Sequence, residues 1–315
     1  NQFSEMIDWY NSYSIAFKSD VNELDWDDLR FLRHLFKPIT LTTLDQILIQ
    51  ALNIGRFPIT EYSLENSTWI LDEPQLYEPK MLAIFLEAID DYLENWNVNV
   101  AVMSATIPEF FKETLEELGF VTLPTDPRKY YQQLNRTRIV FRENTALVTK
   151  NDENRYILTR EAIDTLLRLL GDHNKIIIKL NTVKKAQDVY DCLVELRKER
   201  NLNFDLELFH SRYILKHRVH KLGRLKKLEK SSSKAIAVTT QVVEAGVDVS
   251  FDAMLTELAP FPSIVQASGR VNRVKLKSSG TSCKPVIVFD LDAGDLKPYL
   301  SAEINTTRHL LNAQV

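Results

Sequence analysis

The sequence predicts an α/β protein of two domains, each a mostly parallel sheet with helices on both faces. Two observations carry this. Short apolar, β-branched runs such as residues 175–180 (KIIIKL), 235–239 (AIAVT) and 285–290 (PVIVFD) alternate with longer stretches of helical periodicity, and strands buried on both faces read as near-continuous apolar runs. Several of these runs also end in polar segments, and open α/β sheets place their ligands in such loops at the carboxyl ends of strands. With 315 residues, the chain is long enough for two ordinary cores. The division is expected at 1–145 and 146–300, followed by a tail, 301–315, to which no role is assigned.

Bulk composition bounds the class. Hydrophobic residues make 44% and charged residues 26% of the chain, as in soluble globular proteins. No apolar run approaches a membrane span and no secretory signal opens the chain, so a cytoplasmic protein with no membrane partner is expected. Cys192 and Cys283 are isolated thiols without metal or disulfide spacing. A net charge of −4 does not announce nucleic-acid binding, although a groove needs only a local basic stripe. Residues 216–227 (KHRVHKLGRLKK) are a candidate for such a stripe, and a solvated helix face is the plainer alternative.

In the first half, Leu24, Trp26, Leu29, Leu32 and Phe36 recur near helical spacing, which predicts an amphipathic helix over 25–36 ended by Pro38. Residues 39–43 (ITLTT) read as a strand and 44–52 as a helix with Asp45 near its start. A strand over 68–71 runs into Asp72-Glu73-Pro74-Gln75. A carboxylate at the tip of a buried strand can hold magnesium through water, and its neighbour can orient an attacking water; an Asp-Glu cap before Pro74 is the alternative. A helix over 80–93 places Met81, Ile84, Phe85, Ala88, Ile89 and Tyr92 on one stripe. The next strand, 98–103, leads into Ser104-Ala105-Thr106, and Pro108 and Glu109 open a helix ending at Gly119. A linker is expected within 122–152, with strands over 137–141 and 146–148 at the joint.

In the second half a helix over 161–170 is expected to stop at Gly171. The strand 175–180 ends in Asn181-Thr182 and feeds a helix to about Glu199. The strand 206–209 ends in His210-Ser211-Arg212 ahead of the basic stretch, and 230–234 is a serine-rich loop. The strand 235–239 runs into Thr240-Gln241 and then Gly246 and Asp248. Downstream, Gln266 to Arg273 has the form Q-x-x-G-R-x-x-R. Two arginines three apart on a short helix project from one side, and planar guanidinium groups suit a phosphate. Gly269 permits close backbone approach, and Gln266 offers an amide. A solvated basic helix is the competing reading of this segment.

Taken together, TTQVVEAGVDV, TELAP and QASGRVNR resemble motifs V and VI of superfamily 2 helicases. Their wording is similar to the helicase part of the CRISPR-associated helicase–nuclease family that serves the Cascade surveillance complex. The resemblance implies paired RecA-like domains that use ATP and Mg2+ to move on single-stranded DNA. Asp72 would then be the metal carboxylate and Glu73 the catalytic one. Arg270 and Arg273 would be catalytic by stabilising charge on the γ-phosphate as it transfers, and Gln75, Gly246, Asp248 and Gln266 would be turned toward the nucleotide. Thr43, Gln46, Asn181, Thr182, His210, Arg212, Thr240 and Gln241 would follow the DNA, and Ser104 and Thr106 would couple the two functions. Pro74 and Gln75 depart from the commoner aliphatic residue and histidine of the acidic box. No G-x-x-x-x-G-K-[ST] loop occurs in the sequence, so the first domain is expected to be incomplete and the chain to be a piece of a longer one. No His-Asp dipeptide occurs either, which assigns the family's HD nuclease to residues outside this sequence. Two other readings stay open: a helicase-fold binding module without hydrolysis, and a superfamily 2 motor acting on RNA or repair intermediates.

Overall fold

The computed structural model describes residues 39–51, 57–74, 77, 79–104, 107–123, 136–244, 247–273, 283–291, 295 and 297–313. The chain forms two compact units, Asn1–Thr125 and Asp126–Val315. The expected boundary at 145 therefore moves to the start of the predicted linker. The reason is hydrogen bonding: the strand that opens after the linker pairs with the second unit's sheet.

The first unit contains α1 (Leu44–Ala51), α2 (Phe57–Leu64), β1 (Thr68–Asp72), α3 (Pro79–Asn95), β2 (Asn99–Met103) and α4 (Glu109–Glu117). Strands β1 and β2 run parallel, with Asp72 opposite Met103. Alternation along β1 turns Trp69 and Leu71 inward, where they meet Phe85, Ile89 and Tyr92 of α3 and Leu44, Ile47 and Leu48 of α1. The predicted stripe of α3 thus supplies the centre of this core. Helix α4 terminates at Gly119, whose φ of +86° is left-handed geometry that glycine adopts without a Cβ penalty. The expected strand over 39–43 is absent. A strand needs a sheet to join, and the sheets formed by the described residues do not include this segment; Ile39 and Leu41 are exposed. The helix expected over 25–36 lies outside the described residues.

The second unit is built on six parallel strands in the order β3-β10-β9-β6-β8-β7. These are β3 (Thr137–Ala146), β6 (Lys175–Lys179), β7 (Asp205–Phe209), β8 (Ala235–Thr239), β9 (Ala253–Glu257) and β10 (Lys284–Asp290). A small antiparallel pair, β4 (Val148–Lys150) and β5 (Tyr156–Leu158), stands apart from that sheet. The connecting helices are α5 (Arg160–Asp172), α6 (Val183–Glu199), α7 (Leu215–Lys230), α8 (Phe261–Ser268) and α9 (Ser301–Asn312). Every residue of β6, β8 and β9 is buried, as a sheet covered on both faces requires. Period-2 alternation splits the strand side chains between two cores. Ile176 and Ile178 pack with α5 and α6, while Ile177 packs with residues of α7, α8 and α9.

Two further expectations are corrected here. Helix α5 runs through Gly171 to Asp172, because the backbone ladder continues to a bond from His173 N–H to the Leu169 carbonyl. The stretch left without a role is structured over 301–313: α9 buries Ile304, Thr307 and Leu311, and Ile304 and Leu311 belong to the second core. The Arg308 guanidinium pairs with Asp290 at the end of β10, 2.7 Å away. Among the described residues no helix is long and apolar enough to cross a membrane.

Candidate functional site

In the first unit the acidic pair sits where β1 ends. Asp72 is exposed at the strand tip. Glu73 adopts a left-handed φ of +52°, uncommon for a residue with a Cβ, and its N–H donates to the Met103 carbonyl at 2.8 Å. That bond carries the parallel pairing one residue past the strands and aims the Glu73 side chain at the loop after β2. There the Ser104 hydroxyl donates to Glu73 Oε2 at 2.9 Å. Two segments 31 residues apart are thereby joined through side chains. Tyr77, absent from the sequence reading, stands beside them: burial, then the Asp72 and Asp45 carboxylates, push its phenol upward. Thr43 and Gln46 are exposed, and the Thr43 carbonyl accepts from Gln46 N–H in the first turn of α1. Gln75, Thr106 and Gly246 lie outside the described residues.

In the second unit all six strands share one direction, so the segments following them collect along one edge. Asn181 follows β6 and is only 2% exposed. Its N–H donates to Glu257 Oε2 at 2.7 Å and its Nδ2 to the Leu258 carbonyl at 2.9 Å. Gln241 Nε2 donates to the Asn181 carbonyl and to the Tyr299 hydroxyl. Thr182 caps α6, its Oγ1 accepting from Lys185 N–H. Thr240 is buried and precedes a single 3-10 turn, Gln241–Val243. His210 is buried too, its ring stacked 4.1 Å from that of Tyr213. Burial, then Arg212 and Lys221, hold its pKa below the usual histidine value. Arg212 itself is exposed.

The residues expected to touch nucleic acid therefore separate into two groups. Thr43, Gln46 and Arg212 offer side chains to solvent. Asn181, His210 and Thr240 are buried, while Thr182 and Gln241 bond the backbone of neighbouring segments; Asn181 Oδ1 and His210 Nδ1 are buried without a hydrogen-bond partner among the described residues. The basic stretch divides in the same way. Lys221 and Arg224 pair with the buried Glu207 of β7, and Arg218 donates to the Ser211 carbonyl, so this side of α7 holds the 210–213 loop in place.

The arginine pair departs from the expected helix. Helix α8 ends at Ser268, and both arginines lie on the turn beyond it. Arg270 is half-buried; its Nε donates to the Val243 carbonyl at 3.0 Å and its Nη2 to the Glu244 carbonyl at 2.6 Å. Burial, then Arg273, weigh against its charge and lower its pKa, yet a guanidinium remains protonated. Arg273 is exposed and pairs with Asp248 at 3.4 Å. Both arginines thus grip the segment 243–248 and tie the two motif-bearing stretches together. Gln266 is half-buried on α8, and a Cβ at Gly269 would come 3.2 Å from the Gln266 carbonyl.

Besides Tyr77, three further groups escaped the sequence reading. Lys179 is fully buried at the end of β6 and contacts Glu244 and Ser263, each at 3.0 Å. Lys185 is buried between Glu257 at 2.5 Å and Asp295 at 2.8 Å; burial opposes its charge, but the two carboxylates outweigh it and raise its pKa. Asn272 takes a left-handed φ of +55° and donates from Nδ2 to the Arg136 carbonyl ahead of β3. The available signal was a charged residue inside an apolar run, Lys179 in KIIIKL and Glu257 in AMLTEL, which buried strands accept only with a partner.

An α/β chain with a six-stranded parallel sheet and motif loops along its carboxyl edge has the RecA-like fold that helicases share. A crystal structure of T. fusca Cas3-ATP superposes with a TM-score of 0.71 at 20% identity, over 89% of this chain and 36% of that one. A CRISPR RNA-guided surveillance complex, pre-nicking, contains a chain that superposes with a TM-score of 0.66 at 19% identity, over 90% of this chain and 39% of that one. The family model for the C-terminal part of the CRISPR-associated nuclease/helicase Cas3 matches residues 172–276. The Cas3 nuclease/helicase of Methanothermobacter thermautotrophicus is 27% identical over 285 residues, 89% of this chain and 32% of the relative. The Cas3 endonuclease/helicase of Escherichia coli is 29% identical over 254 residues, 75% of this chain and 28% of the relative. Within that fold, the chain is similar to Cas3 helicases in sequence and in structure. It spans about a third of the length of these curated relatives.

Proposed function

We propose that this chain is the motor part of an ATP-driven translocase of CRISPR interference, which moves on single-stranded DNA in the cytoplasm. In this reading it works with the Cascade surveillance complex and with an HD nuclease outside these residues. The observation that carries the reading is the Asp72–Glu73–Ser104 arrangement: a carboxylate pair at a parallel strand's tip, with Glu73 bonded to the hydroxyl after the next strand. The relatives solved as ADP, ATP and AMPPNP forms support nucleotide as the ligand.

The residues present suit magnesium. Among the described residues no three His, Cys, Asp or Glu converge, and Mg2+ on a nucleotide needs only one or two carboxylates, its other positions being water and phosphate oxygens. Asp72 would hold it through water. The ion would supply neutralisation of phosphate charge. Glu73, pinned by its own backbone bond and by Ser104, orients the attacking water, and Arg273 offers a fork to phosphate oxygens from a turn braced by Arg270.

The test is Glu73→Gln in the intact protein. Nucleotide affinity should persist while DNA-stimulated hydrolysis falls by about 10²–10⁴; Asp72→Asn should weaken magnesium-dependent nucleotide binding as well. Undiminished hydrolysis in Glu73→Gln removes the acidic pair from the mechanism.

A further inference from the structure

Helix α7, LKHRVHKLGRLKKLEK, carries more positive charge than its contacts with the second unit consume. Its inward side uses Arg218, Lys221 and Arg224 as described above and buries Leu225. Its one acid, Glu229, is also turned inward and accepts from Ser250 N–H. The outward side is different. Lys216, His220, Gly223, Lys227 and Lys230 are all exposed and fall within one narrow stripe at 100° per residue. The three lysines have no ion-pair partner among the described residues. From Lys216 to Lys230 the stripe runs about 21 Å at 1.5 Å per residue.

Gly223 is the second observation. It sits in the middle of both the helix and the stripe, and a Cβ there would meet nothing within 4 Å. Glycine is among the poorest residues for a helix interior, and here no packing among the described residues explains it. A helix that leaves its backbone bare at the centre of a basic ridge is shaped for close approach from outside.

We infer that the outer face of α7, on the side away from its contacts with the 210–213 loop, docks the phosphate backbone of double-stranded nucleic acid. The inference rests on the reading of the chain as a nucleic-acid motor. Charge complementarity selects phosphate, since lysines serve as point charges along a polyanion. The absence of Phe, Tyr and Trp from α7 selects a duplex over unpaired bases, which need aromatic stacking platforms. An acidic protein surface fits less well, because this face lacks the aromatic anchors that centre such interfaces.

The test uses the intact protein with Lys216→Ala, Lys227→Ala and Lys230→Ala combined, binding a blunt duplex across 50–200 mM salt. Each lost phosphate contact lowers the slope of log K against log salt by about 0.9 for duplex DNA, so the slope should fall by about 2 to 3. Gly223→Gln should weaken duplex binding severalfold while leaving the melting temperature equal or higher, an outcome that a purely structural glycine would not produce. Lys198→Ala with Arg200→Ala, exposed on the far end of α6, should leave the slope unchanged. Hydrolysis stimulated by single strands should stay at the wild-type level in the triple variant, so failure of the motor reading and failure of this one are told apart. An unchanged duplex slope overturns the proposal. So does a slope change confined to single strands, an equal change in the control pair, or loss of an acidic protein partner with duplex binding intact.

Discussion

Arg270 and Arg273 are three positions apart and have different jobs. Arg270 uses its fork inside the unit, on the Val243 and Glu244 carbonyls; truncating it strands two acceptors, a loss of about 1–3 kcal/mol. Arg273 is exposed and holds only Asp248, a contact of surface strength. Arg270→Ala should therefore lower both unfolding stability and hydrolysis, whereas Arg273→Ala should lower hydrolysis with a melting temperature close to wild type. Arg270→Lys should behave nearly as Arg270→Ala, because one ammonium cannot reproduce a planar fork on two carbonyls. Thermal melts and steady-state ATPase on the same three variants decide it, and equal melting temperatures for Arg270→Ala and Arg273→Ala would refute the division. His210 gives a pH prediction. Its folded pKa is depressed by burial and by Arg212 and Lys221, so its contribution is complete above the unfolded value of about 6.5 and is lost as pH falls from there through the folded value. The unfolded chain takes the proton first. His210→Gln should flatten the loss of stability between about pH 7 and 5, measured by urea melts at each pH; an identical pH dependence in the variant would show that His210 is not its source.

At the scale of elements, the terminal helix is the instructive case. Nothing in residues 301–315 carries a motif, yet α9 places Ile304, fully buried, in the same core as Ile264 and Ala267 of α8, the helix that leads into the arginine turn. Ile304→Ala should cost about 2–4 kcal/mol, the range for a buried aliphatic truncation. A denaturant melt showing less than about 0.5 kcal/mol, the size of an ordinary surface substitution, would place α9 outside the cooperative fold. Helix α7 makes the complementary point. One side braces the 210–213 loop through Glu207, Tyr213 and Ser211, and the other side is left to solvent.

At the scale of the molecule, the two units differ in how their cores are closed. The second unit has two clusters on opposite faces of one sheet, and the one that holds Ile139, Phe141, Ile304 and Leu311 draws on pieces outside the expected limits of 146–300. Strand β3 is an edge of that sheet, and α9 covers it from beyond residue 300. A fragment of residues 126–315 should unfold in one cooperative transition, while 150–300 should melt without one, since it lacks the β3 edge and α9. Calorimetry on the two fragments tests this. A cooperative melt for 150–300 would mean that β3 and α9 are accessories.

The sequence alone determined the class of fold, the strands that carry it and the order of the motif loops. Those features are written in local periodicity: AIAVT, KIIIKL and PVIVFD read as buried strands because both faces of a parallel sheet exclude water. It also singled out the acidic residues after β1 and the two arginines after Gln266, through the order in which these segments follow their strands rather than through either segment alone. Only the tertiary structure decided which of those side chains look outward. Asn181, His210 and Thr240 follow strands as expected, yet they are buried, because neighbouring segments distant in sequence pack over them and bond their backbone, as the Asn181 N–H does with Glu257. The partners that do this, Glu257 for Asn181 and Val243 with Glu244 for Arg270, lie between 26 and 76 residues away along the chain. Such pairings depend on strand order and register, quantities that no window of sequence contains.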